Sequence, residues 1–387
     1  MRLLTFSFWF SVVVIFYAYF GYPLLMWVLA AVRPKPVQID ENARPSLTLL
    51  IAAYNEAEVI REKIENSLAL DYPKERLEIA VVADGSDDAT PAIAREYAGR
   101  GVTTHFQPER KGKMAAINRA FPLCRGEVVV FSDANNLYRP DALLKLVRNF
   151  ADERVGAATG RKVLRRTQSE VGESENLYWR YESFIRLKES QFSFTTGAVG
   201  EILAVRKGLY VAPPPYVIND DFYIAMAVIR QNARVVYEPE AISEEMPSAS
   251  MNAEMVRRSR ISAGLLQSLL MLPQLLKGAP ALAYFQAVSH KLLRPLVPVL
   301  MLVALAVNIC LVLKRPRLDV YAAAAVAQAV FYLLTAGGAA LTRLGMKIKL
   351  FYVPYYFCVS NFAYLVGLYR LASGKQTVLW TKARRES

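Results

Sequence analysis

The stretch Glu127-Val128-Val129-Val130-Phe131-Ser132-Asp133-Ala134-Asn135 runs an apolar segment straight into two oxygen-bearing side chains. A short β-branched run of this kind fits a strand buried on both faces. In an extended segment residues i and i+2 face the same side, so Asp133 and Asn135 can both reach one divalent ion or a diphosphate bound to it. The same passage from apolar run to polar turn recurs upstream. Leu47 to Ala52 leads into Ala53-Tyr54-Asn55-Glu56, and Glu78 to Ala83 leads into Asp84-Gly85-Ser86-Asp87-Asp88-Ala89-Thr90. Taken singly, each is an ordinary turn, because Asn, Asp and Gly start turns and Asp caps helices.

Between these runs the periodicity changes to a helical one, through Val59, Ile60, Ile64 and Leu68, again from Ala89, and from Lys113 to Phe121, with a further strand at Val102 to Phe106. Strands alternating with helices predict an α/β fold, a mainly parallel Rossmann-like sheet covered on both faces. Ligands of such sheets bind beyond the carboxyl ends of the strands, where all of these polar turns fall. Arg110-Lys111-Gly112-Lys113 adds cations and free N–H groups at a helix start, an arrangement suited to an anion but also to a solvated loop. Asp220-Asp221 opens a further helix through Ile224, Ala227 and Val228, where acids also favour the helix dipole.

The chain of 387 residues is 54% hydrophobic, and its apolar residues are unevenly spread. Charge-free stretches run over Leu3–Val32, Pro295–Leu313, Val320–Thr342 and Leu350–Tyr369. Each approaches or exceeds the roughly 20 residues that cross a bilayer, so four transmembrane helices are expected. Residues 264–290 are apolar but broken by Pro273, Lys277 and Pro280, which predicts interfacial helices. The expected order is an anchor and basic linker over 1–43, a soluble domain over 44–263, interfacial helices over 264–290, three spans within 291–375 and a basic tail over 376–387.

The net charge of +13 is likewise uneven. Between Arg44 and Phe285 there are 31 Lys and Arg against 30 Asp and Glu, whereas the remaining residues carry 16 against 4. The excess lies beside the apolar stretches, which fits anionic membrane lipids and a multi-pass protein with its soluble domain on the cytoplasmic side, and speaks against a nucleic-acid partner. Three separated cysteines, Cys124, Cys310 and Cys358, imply no disulfide framework. With only His105 and His290, any metal is expected to be a hard, oxygen-bound cation.

From Pro45 to about Gln267 the order and spacing of these motifs resemble a family 2 glycosyltransferase with the GT-A fold, related to membrane-bound cellulose and hyaluronan synthases. The resemblance implies that Tyr54, Glu56 and Asp84 hold the uridine of a UDP-sugar, with Lys113 near the nucleotide. Asp133-Ala134-Asn135 stands at the family's Asp-X-Asp motif, which binds Mg²⁺ or Mn²⁺ and the diphosphate. Asn135 replaces its second carboxylate and implies weaker metal affinity. Thr196-Gly197-Ala198, with Gly200, Glu201 and Arg206, resembles the acceptor-side segment, together with Asp220. Asp221 matches the catalytic base that takes the acceptor proton during inverting transfer. Arg257-Arg258-Ser259-Arg260-Ile261, on a helix beginning near Ala249, aligns with the Gln-X-X-Arg-Trp motif, with Arg260 on the diphosphate. Arg257 replaces the Gln on the acceptor side, and Ile261 offers no indole platform for a growing glycan.

The implied activity is inverting transfer from a UDP-sugar to a lipid-linked or polysaccharide acceptor in exopolysaccharide or envelope glycan synthesis, with synthesis or export partners. Two alternatives are a polyprenyl-phosphate glycosyltransferase and a non-catalytic nucleotide-sugar-binding subunit of a synthase complex.

Overall fold

The computed structural model describes residues 1–165, 170–248, 250–314, 319–346 and 348–376. The expected helix start near Ala249 and the tail beyond residue 376 lie outside them. Helix α1 (Arg2–Phe16) passes through one π turn, Tyr17–Gly21, into α2 (Tyr22–Val32). The soluble part then alternates as expected: β1 (Leu47–Ala53), α3 (Ile60–Leu68), β2 (Leu77–Asp84), α4 (Thr90–Glu96), β3 (Val102–Gln107), α5 (Lys113–Ala120) and β4 (Val128–Asp133). It continues with β5 (Asn136–Tyr138), α6 (Ala142–Val147), β6 (Val155–Leu164), α7 (Glu170–Phe192), β7 (Leu203–Arg206), α8 (Asp220–Arg230) and β8 (Arg234–Glu245).

All eight strands form one sheet in the order β3-β2-β1-β4-β7-β6-β8-β5. Parallel pairing joins β1 to β2 and β4, β2 to β3, and β6 to β8. The sheet is mainly parallel, with β7 reversed between β4 and β6 and β5 reversed on the β8 edge. Alternate residues of each strand feed two cores. Leu47, Leu49 and Ile51 pack with Ile60, Ile64 and Val81 on one face, whereas Leu50, Val82 and Phe131 pack with Ile117, Phe222 and Met226 on the other. Each large aliphatic side chain buried this way stabilises by about 1.5–3 kcal/mol, so neither face tolerates a one-residue slip of register. Parallel registry sets Ala52 opposite Asp133 and Ala53 opposite Ala83, which delivers Tyr54, Asp84 and Asp133 to a common carboxyl edge.

Beyond the sheet lie α9 (Met251–Leu275), α10 (Ala281–Ala287), α11 (Val297–Lys314), α12 (Val320–Arg343) and α13 (Lys349–Ala372). The boundaries expected at 263 and 290 both fall inside helical turns, in α9 and in the π turn Val288–Leu292. Among the described residues, three helical stretches are long and apolar enough to cross a membrane: Arg2–Val32, Ala281–Lys314 and Val320–Arg343. The fourth expected span forms the 24-residue α13, whose Tyr352, Tyr355, Tyr356, Asn361 and Tyr364 make it less apolar than those three. It packs along α9 at Gly367, where a Cβ would lie 2.7 Å from both the Ser259 carbonyl oxygen and Ser262 Cβ. Arg258 Nη2 ties the same two helices by donating to Tyr356 Oη at 2.7 Å.

Under the β4 edge sits a lysine that composition alone would place at the surface. Lys63 on α3 is fully buried, donates to the Asn136 carbonyl at 2.8 Å and lies 4.2 Å from the Tyr138 ring centroid. Burial brings its pKa down to about 7, against opposing pulls from Glu201 and Asp133. Between about pH 7 and about pH 10 the unfolded chain therefore binds a proton that the folded one lacks, and stability rises with pH. In Lys63→Met this contribution, up to about 1.4 kcal/mol per pH unit, should vanish. Melting curves of the two proteins across that range check it; parallel pH dependences would show that Lys63 stays charged when folded.

Candidate active site

At the end of β1 the Tyr54 ring carries the Arg110 guanidinium 3.6 Å from its centroid, a cation–π contact across two loops. Asp84 closes β2, is almost fully buried, and accepts from the main-chain N–H groups of Lys111 at 3.1 Å and Gly112 at 2.7 Å. One carboxylate thus folds the basic loop over the strand ends and aims α5 at the same edge. Glu56 follows Tyr54 with its N–H on Thr90 Oγ1 at 2.8 Å, and Asn55 Nδ2 donates to Asp87 at 2.6 Å. The first two expected motifs are therefore laced together.

Lys113, at the start of α5, is the junction between this half and the other. Its ammonium lies 2.8 Å from Asp133 Oδ1 and 3.3 Å from Asp220 Oδ2. Burial disfavours the charge on Lys113, but Asp133 and Asp220 outweigh that penalty and raise its pKa. Arg260 on α9 faces the same acids. Burial lowers its pKa, while Asp220, Asp133 and Asp221 all act to hold its proton. Asp221 accepts from the Phe222 N–H at 2.8 Å, and burial, then the charge of Asp220, push its pKa up. Two cations and three carboxyl groups from four separate stretches of chain thus form one electrostatic cluster.

The last two stretches are fixed to each other by contact. Asn219, just before α8, donates to the Ile261 carbonyl at 3.0 Å, and its amide lies so close to α9 that a Cβ on Gly264 would meet Asn219 Oδ1 at 2.3 Å. Gln267 on the same helix accepts from the Ile218 N–H and donates to the Tyr216 carbonyl. Glycine at 264 permits the approach that sets Arg260 beside Asp220 and Asp221.

Other expected residues fall elsewhere. Arg206 donates to the Val155, Phe150 and Asp152 carbonyls, so it braces the sheet and does not enter the site. Glu201 is buried against Lys162 at 2.8 Å and accepts from Ser243. Arg257 is bound to Glu254 one turn earlier, with a shortest contact of 2.8 Å. Gly197 lies in a buried turn whose neighbours are Arg186, His290 and Lys291. The motif reading missed Lys63, which holds the Asn136 carbonyl, and Lys162, buried between Glu201 and Glu245; isolated lysines in amphipathic segments carry no spacing signal.

The donor set fits a hard divalent cation, since the Lys113 ammonium already marks a cation position between Asp133 and Asp220. Among the described residues no three of His, Cys, Asp or Glu gather into a closed cage. Such an ion would rest on Asp133, with Asn135 half-exposed two residues on, and take its remaining ligands from a diphosphate and water.

Residues 48–210 match the family model described as Glycosyl transferase family 2. A beta-monoglucosyldiacylglycerol synthase of Trichormus variabilis is 34% identical over 137 residues, which cover 34% of this chain and 29% of that protein. A poly-beta-1,6-N-acetyl-D-glucosamine synthase of Staphylococcus aureus is 26% identical over 244 residues, covering 57% of this chain and 58% of that one. The alignments thus span less than two thirds of either relative. Among solved structures, the mannosyltransferase PcManGT from Pyrobaculum calidifontis, in complex with GDP-Man and Mn²⁺, superposes with a TM-score of 0.73 at 25% identity, covering 96% of this chain and 100% of that one. Residues 48–210 therefore carry the likeness to family 2 glycosyltransferases, in a chain whose sheet has the GT-A fold and whose described helices include three stretches long and apolar enough to cross a membrane.

Proposed function

We propose that the protein is an inverting membrane glycosyltransferase that moves a sugar from a nucleoside-diphosphate donor to a lipid-linked or polysaccharide acceptor. The observation that carries this reading is the Lys113 bridge between Asp133 and Asp220, with Arg260 and Asp221 in the same cluster. Tyr54, Glu56 and Asp84 line the edge where a nucleoside would lie, and a UDP-sugar is the donor the motifs suggest. GDP-Man, bound in the similar solved structure, is the other donor to test. The domain works on the cytoplasmic face of the cell membrane, a placement supported by Arg33 and Lys35 after the first apolar helix.

In this reading Asp221 takes the proton of the acceptor hydroxyl as that oxygen attacks the anomeric carbon and the diphosphate leaves. Its raised pKa suits a base working nearer neutrality than an ordinary carboxylate. Lys113 and Arg260 meet the charge that develops on the leaving diphosphate. A divalent ion held by Asp133 and Asn135 would neutralise the same oxygens as a Lewis acid.

Asp221→Asn should lower transfer by about 10²–10⁴-fold with nucleotide affinity nearly unchanged, measured as nucleotide release from a panel of UDP- and GDP-sugars. Equal loss of nucleotide binding would assign Asp221 to the donor instead. Because Asp220 raises the pKa of Asp221, activity should fall as pH drops through that pKa, and Asp220→Asn should move the acid limb of the pH–rate profile to lower pH. A limb that stays in place would mean that another group takes the proton. Asn135→Asp should reduce the Mn²⁺ concentration needed for half-maximal nucleotide binding, and an unchanged titration would remove Asn135 from the ligand set.

A further inference from the structure

Across the Gly197 turn from Asp221 lies a second buried cluster that the transfer chemistry does not use. Glu182 on α7 receives Lys291 Nζ at 2.8 Å, Arg186 Nη2 at 3.2 Å and Arg294 Nη1. Glu189, two turns later, meets the Tyr22 hydroxyl, Thr195 Oγ1 at 2.9 Å, the Thr196 N–H at 3.2 Å and His290 Nδ1 at 2.9 Å, and the His290 ring reaches back to Glu182 with Nε2 at 3.5 Å. Three cations therefore converge on the single carboxylate of Glu182. Arg186 and Arg294 are each 3% exposed, and Arg186 Nε and Nη1, Arg294 Nε and Nη2 and the Thr196 hydroxyl meet no hydrogen-bonding partner among the described residues. Their spare faces lie against rings, Arg186 at 5.4 Å from Trp179 and Arg294 at 5.5 Å from Tyr181.

A network built only for stability would not leave guanidinium N–H groups in this state, since each buried, unsatisfied donor is costly and a buried excess charge more so. The four spare guanidinium N–H groups are donors on two forks shaped for an oxyanion, and the Thr196 hydroxyl can donate beside them. The cluster also links the site to a helical stretch long and apolar enough to cross a membrane. A Cβ on Gly197 would lie 3.0 Å from Arg186 Nε and 3.2 Å from Lys291 Cε, whereas a Cβ on Gly200 would lie 3.3 Å from Asp221 Cβ. The intervening turn can span only about 10 Å. Lys291 and Arg294 belong to the apolar stretch Ala281–Lys314, and the charge-free run toward the bilayer begins at Pro295.

We propose that Arg186, Lys291, Arg294 and Thr196 bind the phosphate of a lipid-linked acceptor. The phosphate is a handle and not the nucleophile: it anchors the acceptor at the membrane end of the turn, and the attacking hydroxyl remains at Asp221. This assignment rests on the transfer reading above and narrows its acceptor to a lipid that carries phosphate.

The test uses the full-length protein in neutral detergent, with dodecyl phosphate, dodecyl glucoside and dodecanol as probes, read by native mass spectrometry. Dodecyl phosphate should bind at least tenfold more tightly than the other two. The double substitution Arg186→Gln with Arg294→Gln should remove that preference while nucleotide binding, measured in parallel, persists. Equal binding of the phosphate and the glucoside would point to a sugar headgroup site and overturn the proposal. So would an undiminished preference in a variant that still binds nucleotide, or displacement of dodecyl phosphate by UDP or GDP, which would place it in the donor site. Should the double variant lose nucleotide binding altogether, Arg186→Lys keeps the charge without the fork, and a preference that it leaves intact counts against the site. A wild-type protein that binds no nucleotide would refute the transferase reading while leaving the lipid comparison interpretable.

Discussion

The ammonium of Lys113 holds the two halves of the site in one place. It leaves α5 beside the end of β4 and meets both Asp133 and Asp220. Asp220 opens α8, which belongs to the second half of the sheet and rests on α9. Without a cation at that point, two carboxylates from distant parts of the chain would face each other across a partly buried gap, with Asp221 adding a third acidic group. The charge on Lys113 survives burial only because those acids surround it. The arrangement is mutual, and it explains why strands, α8 and α9 come together around one small volume.

The first half of the fold was legible because its signals are local. Each of β1, β2 and β4 is an apolar run ending in a polar turn, and both faces of the sheet are covered, so simple periodicity locates them. The second half lacks that signal. β7 is four residues long, β5 is three, and β8 extends into Glu238, Glu240, Glu244 and Glu245, whose charges disguise a strand. Pairings between β6, β7 and β8 link distant residues, and no run of sequence announces them. The acidic cluster was readable as residue types in order. Its geometry was not, because Asp133 and Asp220 meet only through Lys113, and no run of sequence announces that contact.

Several charged residues have places in the fold that their sequence does not announce, for one physical reason. Arg206 and Glu201 look like site residues in one dimension, yet they point away from the Gly197 turn toward the sheet and its buried ion pairs. Lys63, Lys162 and Glu182 look like surface residues, yet they are buried and hold loops in place. A charged side chain inside a protein requires partners from elsewhere in the chain, so its role becomes visible only when those partners are in position. Charge number alone could not separate Lys63, which supports the Asp133 loop, from Lys113, which faces it.

The contact at Gly367 has a further consequence. There the backbone of α13 approaches Ser259 and Ser262, on either side of Arg260 and Ile261 in α9. The wall of the active site is thus braced from behind by the hydrophobic part of the molecule. Excising residues 48–210 as a water-soluble fragment would discard α8, α9 and α13 together, leaving the carboxyl edge of the sheet without Arg260, Asp220 and Asp221. Preparations meant to preserve turnover should therefore keep the apolar helices attached, even when only the chemistry of the sheet edge is of interest.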